Sequence, residues 1–329
     1  MKAPTSLPVH EGGKRIAFVR EFADVYVVNI DGSNPVKIAT ARPGPAGHPS
    51  WAPDGRALVF DAVVPISEKD STAYQQIFTT ADGGSNLVQL TNGRFNNAKP
   101  EWLPDGKSIA FLSDRDKHIE IYLMDSDGSN QRRLPSNDAR NNPLDDDTFS
   151  SMAISWSPDG EKIAFVSSVE AREHKDGYII RNQIYILAVK DSQSGKAPLN
   201  VTQDIGDCPG DYSNPAWSPD GSQIAFTLCS LVNAKTAVYV MEIRGTPSKE
   251  PQPIKLVQDT KRRWERLSWA PDGKKLIAGT FLTDAEKHEL VIIDVGKILS
   301  SGKPDMVRLF TDNDIWNDAD PAWEPRGTP

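Results

Sequence analysis

Long apolar runs are missing from this chain of 329 residues, and so are most of the residues that mark disulfide and zinc scaffolds. No stretch is long and apolar enough to span a bilayer, so no transmembrane segment is predicted. Two cysteines are too few for the disulfide framework of a small secreted domain. The five histidines form no i, i+4 pair and no zinc spacing.

Positive charge is also scarce. Lys and Arg number 37 against 45 Asp and Glu, which gives a net charge of −8. A nucleic-acid partner is therefore not predicted, because phosphate binding needs a basic face. No Gly-x-Ser-x-Gly elbow, P-loop or Cys-x-x-Cys occurs, and we expect a protein that is not an enzyme and carries no cofactor.

Helical patterns are nearly absent, with at most a turn at residues 171–175. Residues 1–12 are polar and proline-containing, have no hydrophobic signal core, and are predicted to form a flexible lead. The chain is either cytoplasmic or a mature domain cut from a longer secreted precursor, and its residues do not separate these two addresses.

A five-residue motif, Trp-x-Pro-Asp-Gly, recurs at intervals of 51 to 61 residues. Five copies begin at Trp51, Trp102, Trp156, Trp217 and Trp269, and a degenerate Trp-Glu-Pro-Arg-Gly begins at Trp323. Pro, Asp and Gly suit successive positions of a tight strand-reversing turn. A fixed period of this length predicts a repeat protein, in which these motif tryptophans pack between neighbouring units.

Each unit contains four short strand-like runs, and the second and third are apolar almost without alternation. Such strands belong to sheets that are covered on both faces. Six units of four antiparallel strands predict an all-β fold, a six-bladed β-propeller spanning residues 13–326 as one domain. The first unit lacks its first strand, so we expect residues 319–324 to complete blade 1 and close the ring.

With these motifs and the recurring Ile-Ala-Phe and Asp-Gly-Ser-Asn elements, the chain resembles the TolB family of six-bladed propellers built from WD40-like Pro-Asp repeats. The resemblance implies an extracytoplasmic, monomeric protein-binding or scaffolding propeller without enzymatic activity. TolB carries a small α/β domain before its propeller, whereas the propeller pattern here begins within the first two dozen residues. The Tol-specific partners, including the lipoprotein Pal, are therefore not carried over.

Long, irregular segments are predicted to gather at the end of the propeller opposite the Pro-Asp-Gly turns. They are residues 63–75, 114–118, 135–152, 169–183, 257–267 and 311–320. Binding residues concentrate on such loops. The position three residues before each motif tryptophan should ring the channel mouth: His48, Lys99, Ala153, Asn214, Arg266 and Asp320. Nearby aromatic residues suit a peptide or sugar contact, or else pack between blades: Phe95, Phe149, Tyr212, Trp264 and Trp316.

Acidic clusters near the mouth leave two further hypotheses open. A divalent cation such as calcium could be held by carboxylates among Asp145, Asp146, Asp147, Asp312, Asp314 and Asp318, although no calcium-loop spacing is present. Alternatively, the acidic mouth could act on a saccharide as a hydrolase or lyase. Cys208 and Cys229 flank the same hairpin, and either a disulfide or two free thiols fits their spacing.

Overall fold

The structure is a computed structural model, and it describes part of the chain. The described residues are 13–40, 44–67, 70–81, 84, 86–134, 153–174, 177–192, 196–202, 210–230, 236–243, 253–310 and 318–325.

Strands account for nearly all of the described structure, and they form six four-stranded antiparallel sheets. Blade 1 contains β1 (Arg15–Arg20), β2 (Asp24–Asn29) and β3 (Val36–Thr40). Blade 2 contains β4 (Ala46–Trp51), β5 (Ala57–Ser67), β6 (Asp70–Ala81) and β7 (Val88–Gln89). Blade 3 contains β8 (Asn97–Trp102), β9 (Ser108–Ser113), β10 (Glu120–Asp125) and β11 (Arg132–Arg133).

The second half of the chain repeats this plan. Blade 4 contains β12 (Ile154–Trp156), β13 (Lys162–His174), β14 (Gly177–Ala188) and β15 (Leu199–Asn200), with a 3-10 turn at Val189–Asp191. Blade 5 contains β16 (Gly210–Trp217), β17 (Gln223–Ser230), β18 (Thr236–Glu242) and β19 (Ile254–Asp259). Blade 6 contains β20 (Arg262–Trp269), β21 (Lys275–Leu282), β22 (Lys287–Asp294), α1 (Val295–Ser301) and β23 (Met306–Arg308).

The last strand, β24 (Asp318–Trp323), closes the ring as the sequence predicts. It pairs antiparallel with β1, so that Trp323 lies opposite Ile16, and blade 1 takes the order β24-β1-β2-β3. The inner strand of each blade contacts the inner strands of two neighbours. The six blades therefore follow one another around the channel in chain order.

The repeated motif works as a turn and as a contact between blades. In its first copy, Gly55 N–H donates to Ala52 O at 2.8 Å, and the Asp54 carboxylate accepts from Arg56 N–H at 2.9 Å. Gly55 has a φ of 70°, in the left-handed region that favours glycine. The motif tryptophans lie in the apolar cores between successive blades, where Trp51, Trp156, Trp217, Trp269 and Trp323 are buried and Trp102 is half-buried.

Glycine is required at a second turn because neighbouring backbones approach closely there. Gly32, in an Asp-Gly-Ser-Asn turn, has a φ of 82°, and a Cβ added to it would lie 2.6 Å from Leu309 O of blade 6. The same addition at Gly128 would meet Leu90 O of blade 2 at 2.8 Å. The turn thus fixes how closely each blade sits against the one before it.

The structure corrects three sequence-based interpretations. Residues 63–75, 169–183 and 257–267, expected to be loops, mostly continue the strands: β5, β6, β13 and β14 are 11 to 13 residues long. Residues 171–174 belong to β13 and not to a turn. Strand pairing continues because each added residue finds backbone partners within its hairpin.

The third correction is α1, which the sequence reasoning did not predict. The helix occupies the place where the earlier blades have the Asp-Gly-Ser-Asn turn. The Asp294 carboxylate accepts a hydrogen bond from Lys297 N–H, and Gly302 ends the helix with a φ of 68°. These are the usual N-terminal and C-terminal capping signals, and Val295 and Ile298 supply its buried face.

A buried ion pair joins the two ends of the described chain. Arg15 of β1 donates to Glu324 Oε1 at 2.6 Å and to Gly55 O at 3.1 Å. The guanidinium also lies 4.9 Å from the ring centre of Trp51. Both side chains of the pair are at most 1% exposed. The pair therefore links β24, β1 and the first motif turn of blade 2.

Removing one partner of this pair should destabilise the whole ring. Glu324→Gln leaves the buried Arg15 charge without its counter-ion, and we expect the free energy of unfolding to fall by about 3 to 5 kcal/mol. Urea denaturation measures the change. The double variant Arg15→Met, Glu324→Leu should recover more than half of the loss, because it replaces the pair by apolar side chains.

The matched control is Lys297→Met, which removes an exposed lysine whose ammonium lies 3.1 Å from Asp305. Its effect should be much smaller, since exposed pairs contribute little. Equal losses in Glu324→Gln and Lys297→Met would show that the closure does not depend on the buried pair.

Candidate functional site

A cavity of about 1350 Å³ lies between the inner strands of all six blades. At one end it is lined by the motif prolines, which are Pro53, Pro104, Pro158, Pro219, Pro271 and Pro325. At the other end it is lined by the six residues three positions before the motif tryptophans, here called the mouth ring: His48, Lys99, Ala153, Asn214, Arg266 and Asp320. All six residues line the cavity, and their role in binding stays a prediction.

Four members of the mouth ring have an uncommon backbone conformation. His48, Lys99, Asn214 and Asp320 all have φ between 51° and 52°. Each lies in a β-bulge, where the register between the first and second strands of the blade shifts. Left-handed non-glycine residues are strained and persist where the surrounding structure holds them. The bulge aims the backbone N–H of these residues away from the strand ladder.

Buried Asp61, at the centre of β5, receives two of the groups that the bulges redirect. Its Oδ2 accepts from Lys99 N–H at 2.7 Å and lies 2.8 Å from His48 Nδ1. The Asp320 carboxylate of blade 1 accepts from His48 N–H at 3.2 Å. Carboxylates of one blade thus hold the mouth ring of the next, across blades 1, 2 and 3.

The charged side chains of the ring perturb one another. Burial lowers the pKa of the Lys99 amine to about 8, the like charge of Arg266 adds to that effect, and Asp320 and Asp61 oppose it. Burial alone would raise the pKa of Asp320, but the charges of His48, Arg266 and Lys99 and the His48 hydrogen bond bring it below its usual value. Asp320 is therefore ionised at neutral pH.

Glu101, which precedes Trp102 on the cavity wall, belongs to a second ring of contacts. Its Oε1 accepts from the backbone N–H of Trp156 in the next blade at 3.1 Å. Ser50, Ser155 and Ser268 make the same contact from the equivalent positions of other blades. Burial raises the pKa of Glu101 to about 7, although the Trp156 N–H and the charge of Arg266 act in the opposite direction.

Three of the predicted aromatic residues belong to the described part of the chain, and of these only Trp264 lines the cavity. Tyr212 is 3% exposed in the core between blades 4 and 5. Trp264 lines the cavity but is 5% exposed and packs between blades 5 and 6. Phe95 packs against the Arg115 guanidinium, 4.8 Å from its ring centre, and is absent from the cavity wall. Tyr212 and Trp264 thus pack between blades, and a role of the predicted aromatic residues in ligand binding stays a prediction.

Several predicted residues lie outside the described part of the chain. These are Phe149, Trp316, Asp145, Asp146, Asp147, Asp312, Asp314 and Cys208, and the side chain of Asp318 is not described either. Within the described residues, no three His, Cys, Asp or Glu side chains form a group that could hold a metal ion. Cys229 is exposed and lies opposite Asp211 in the pair of β16 and β17. The calcium site and the disulfide remain predictions.

Three residues at the site were missed from the sequence. Asp61 and Glu101 each break a repeat, because the equivalent positions of other blades carry Val, Leu, Thr or Gly in the first case and Ser or Ala in the second. Phe22 is 42% exposed at the mouth, in a tight turn where it and Glu21 both have positive φ. Its ring meets His288 edge-on at 5.0 Å, and His288 Nδ1 lies 3.0 Å from Glu265.

Comparison with known proteins agrees with this architecture. A family model described as the TolB beta propeller domain matches residues 8–145. The crystal structure of TolB from Acinetobacter baumannii superposes with a TM-score of 0.68 over 96% of this chain and 67% of that one, at 20% identity. This chain is a TolB-like six-bladed propeller.

Curated relatives of the TolB-like propeller include a Tol-Pal system protein and an uncharacterized peptidase. The Tol-Pal system protein TolB of Bordetella pertussis is 28% identical over 155 residues, which cover 35% of each chain. The uncharacterized peptidase YuxL of Bacillus subtilis is 28% identical over 205 residues, covering 54% of this chain and 29% of that protein. The chain thus spans only part of the length of the curated relatives it matches, and the propeller fold alone does not decide between binding and catalysis.

The protonation of Glu101 should appear in the pH dependence of stability. Its pKa near 7 exceeds the ordinary value of 4.5, so the folded state binds more protons than the unfolded state between these limits. Stability conferred by Glu101 is therefore present at pH 4.5 and is lost as the pH rises to 7. Relative to Glu101→Gln, which keeps the acceptor for Trp156, the wild type should lose on the order of 1 to 3 kcal/mol.

Urea denaturation between pH 5 and 8 measures this difference, and histidine titrations common to both proteins cancel. Lys99 does not interfere, because its lowered pKa affects stability between about pH 8 and 10.5. Parallel pH profiles for the wild type and Glu101→Gln would contradict a buried, protonated Glu101.

Proposed function

We propose that this TolB-like propeller is a binding module whose channel mouth takes an extended segment of a protein partner. The observation that carries the proposal is the mouth ring: three bulged, polar residues, His48, Lys99 and Asp320, held in strained conformations around an open cavity. Strained polar residues concentrate at functional sites. The packing of the blades does not require these residues to face the cavity, because the motif tryptophans already fill the space between the blades.

An exposed apolar contact beside the charged ring supports a polypeptide ligand. Phe22 is held on a turn whose carbonyl accepts a hydrogen bond from Ala46 N–H at 2.8 Å, and its ring remains accessible. A bulky residue with positive φ in a hairpin turn is costly where Asn or Gly would be favoured. Such an aromatic residue next to charged groups is typical of protein-binding surfaces.

The similarity to TolB supports an envelope setting for this interaction. One curated relative is a Tol-Pal system protein, and we place the present propeller outside the cytoplasm on that similarity. Among the described residues, no helix is long and apolar enough to cross a membrane. On the similarity to TolB we propose a protein partner in the envelope, bound by a propeller monomer.

A second candidate function is acid–base chemistry on a saccharide in the cavity. The observation that favours it is the opposite protonation of two carboxyl groups on the cavity wall, Glu101 with a pKa near 7 and Asp320 with a lowered pKa. Such a separation is how glycosidases assign a general acid and a base. Glu101 also has a structural contact to Trp156, which accounts for its position without catalysis.

Narrowing the mouth should abolish partner binding without unfolding the ring. Ala153 is the smallest member of the mouth ring and lines the cavity. Photo-crosslinking from position 153 in extracts of the source cells identifies the partner, which is then purified. We expect Ala153→Trp to weaken its binding at least tenfold, equivalent to about 1.4 kcal/mol, as measured by calorimetry.

The control is Lys274→Trp, a bulky substitution at an exposed position in a Pro-Asp-Gly turn at the other end of the propeller. It should leave the affinity unchanged, and both variants should keep the wild-type melting temperature. Partner binding that survives Ala153→Trp would place the interface elsewhere on the molecule.

Catalysis is tested separately on a panel of neutral and acidic polysaccharides. If Glu101 is a general acid, Glu101→Gln should slow the appearance of new reducing ends or unsaturated products by about 100-fold or more. The absence of turnover by the wild type, or equal turnover by both proteins, would exclude this second function.

A further inference from the structure

The charged residues of the mouth ring are distributed unevenly around the channel. Blades 6, 1, 2 and 3 contribute Arg266, Asp320, His48 and Lys99, whereas blades 4 and 5 contribute Ala153 and Asn214. Because six blades follow in chain order, Lys99 and Arg266 stand on opposite sides of the channel. Asp320, the carboxylate of the ring, lies on blade 1, and blades 4 and 5 contribute no charge to the ring.

The acidic groups on the cavity wall are already engaged by the protein. Asp320 accepts from His48 N–H at 3.2 Å, Glu101 from Trp156 N–H at 3.1 Å, and Asp211 from Asn182 N–H at 3.1 Å. Glu265 lies 3.0 Å from His288 Nδ1. Each of these carboxylates thus has a hydrogen-bond partner within its own blade or a neighbouring one.

The Arg266 guanidinium differs from them. It makes no hydrogen bond or ion pair with any residue in the described part of the chain, and its charge acts on Lys99, Glu101 and Asp320 only at longer range. An arginine carries five N–H donors in a rigid plane that matches the two oxygens of a carboxylate. Among the described residues, the Arg266 guanidinium thus has donors without a protein partner, whereas each carboxylate of the wall has at least one.

We propose that the channel mouth recognises a carboxylate of the bound polypeptide, which Arg266 binds through its guanidinium on the uncharged side of the ring. This inference rests on the proposed peptide-binding function and gives the chemistry of the anchor. Approaching over blades 4 and 5, the carboxylate has Arg266 and Lys99 on either side and stays away from Asp320. The anchor is a Glu or Asp side chain or the C-terminal carboxylate of the partner segment.

A peptide fits the site better than an acidic sugar. Sugar sites usually offer the flat face of an aromatic ring, and five of the six motif tryptophans here are buried between blades. Phe22 is the one strongly exposed aromatic residue among those described, and it lies on the rim of the cavity. One apolar contact beside a cation suits an acidic residue next to an apolar residue in an extended chain.

The test selects displayed random dodecapeptides that bind the wild type and discards those that also bind the variant Ala153→Trp. Each remaining peptide is synthesised in four forms, with its acidic side chains kept or changed to amides, and with a free or amidated C-terminus. Affinities for the wild type, Arg266→Gln and Arg266→Lys are measured by fluorescence anisotropy. Lys274→Gln, which removes an exposed charge at the far end, controls for net charge.

We expect either the acidic side chain or the C-terminal carboxylate of each peptide to be required for binding. Removing the required group should weaken binding to the wild type at least tenfold and should hardly change binding to Arg266→Gln. Arg266→Lys should restore only part of the affinity, because lysine lacks the paired donors. The peptide arms test the carboxylate in the unaltered protein, so a folding defect in a variant cannot produce this result.

Other outcomes overturn the inference. Mouth-dependent peptides that bind equally well without any carboxylate would refute it while leaving the proposed function intact. If no peptide depends on the open mouth, both fail. If oligomers of galacturonate bind in an Arg266-dependent manner while peptides do not, the anchor belongs to a glycan and the peptide assignment is wrong.

Discussion

The pairing of β24 with β1 is the constraint on which the rest of this molecule depends. Each blade buries its apolar faces only against its two neighbours, so an open row of blades would leave one face and one strand edge in water at each end. The buried Arg15–Glu324 pair lies at this junction and reaches the turn of blade 2 through Gly55. Closure therefore joins β24, β1 and the first motif turn of blade 2, and the channel forms only when this junction is intact.

Within the closed ring, the repeated motif performs several tasks in few residues. Its tryptophan fills the space between blades, its Asp and Gly reverse the chain, and its proline lines the cavity. The residue before the tryptophan links successive inner strands through the tryptophan N–H in blades with Ser or Glu there. In the two blades with Ala, the indole N–H of the next tryptophan donates to the Ala carbonyl instead.

Regular features of this fold could be predicted from sequence, and local departures from the repeat could not. The blade count, the closure and the position of the mouth ring follow from the spacing of the Trp-x-Pro-Asp-Gly copies. The extended hairpins were taken for loops, because polar and proline-containing strand ends resemble loops until their pairing is known. Asp61 and Glu101 were passed over as ordinary members of strands. Their significance depends on which backbone N–H groups of the next blade face them.

The contacts within the candidate site could not be predicted from the sequence either. A sequence alignment of the six units shows which positions face the channel, but the partners of Lys99, His48 and Asp320 come from different blades. Those contacts arise only when the ring is assembled. The departures from the repeat at Asp61, Glu101 and Phe22 were visible in the sequence, and each lies at or beside the mouth.

The division of the mouth ring into a charged and an uncharged arc has a consequence for orientation. A ring of six identical blades would offer a ligand on its axis six equivalent rotational settings, and choosing one would cost about RT ln 6, or roughly 1 kcal/mol. Unequal side chains on blades 3 to 6, together with the long hairpins of blades 2 and 4, remove this degeneracy. A ligand that binds along the axis is therefore held in one rotational orientation, and the part of it outside the channel projects from the mouth in one direction.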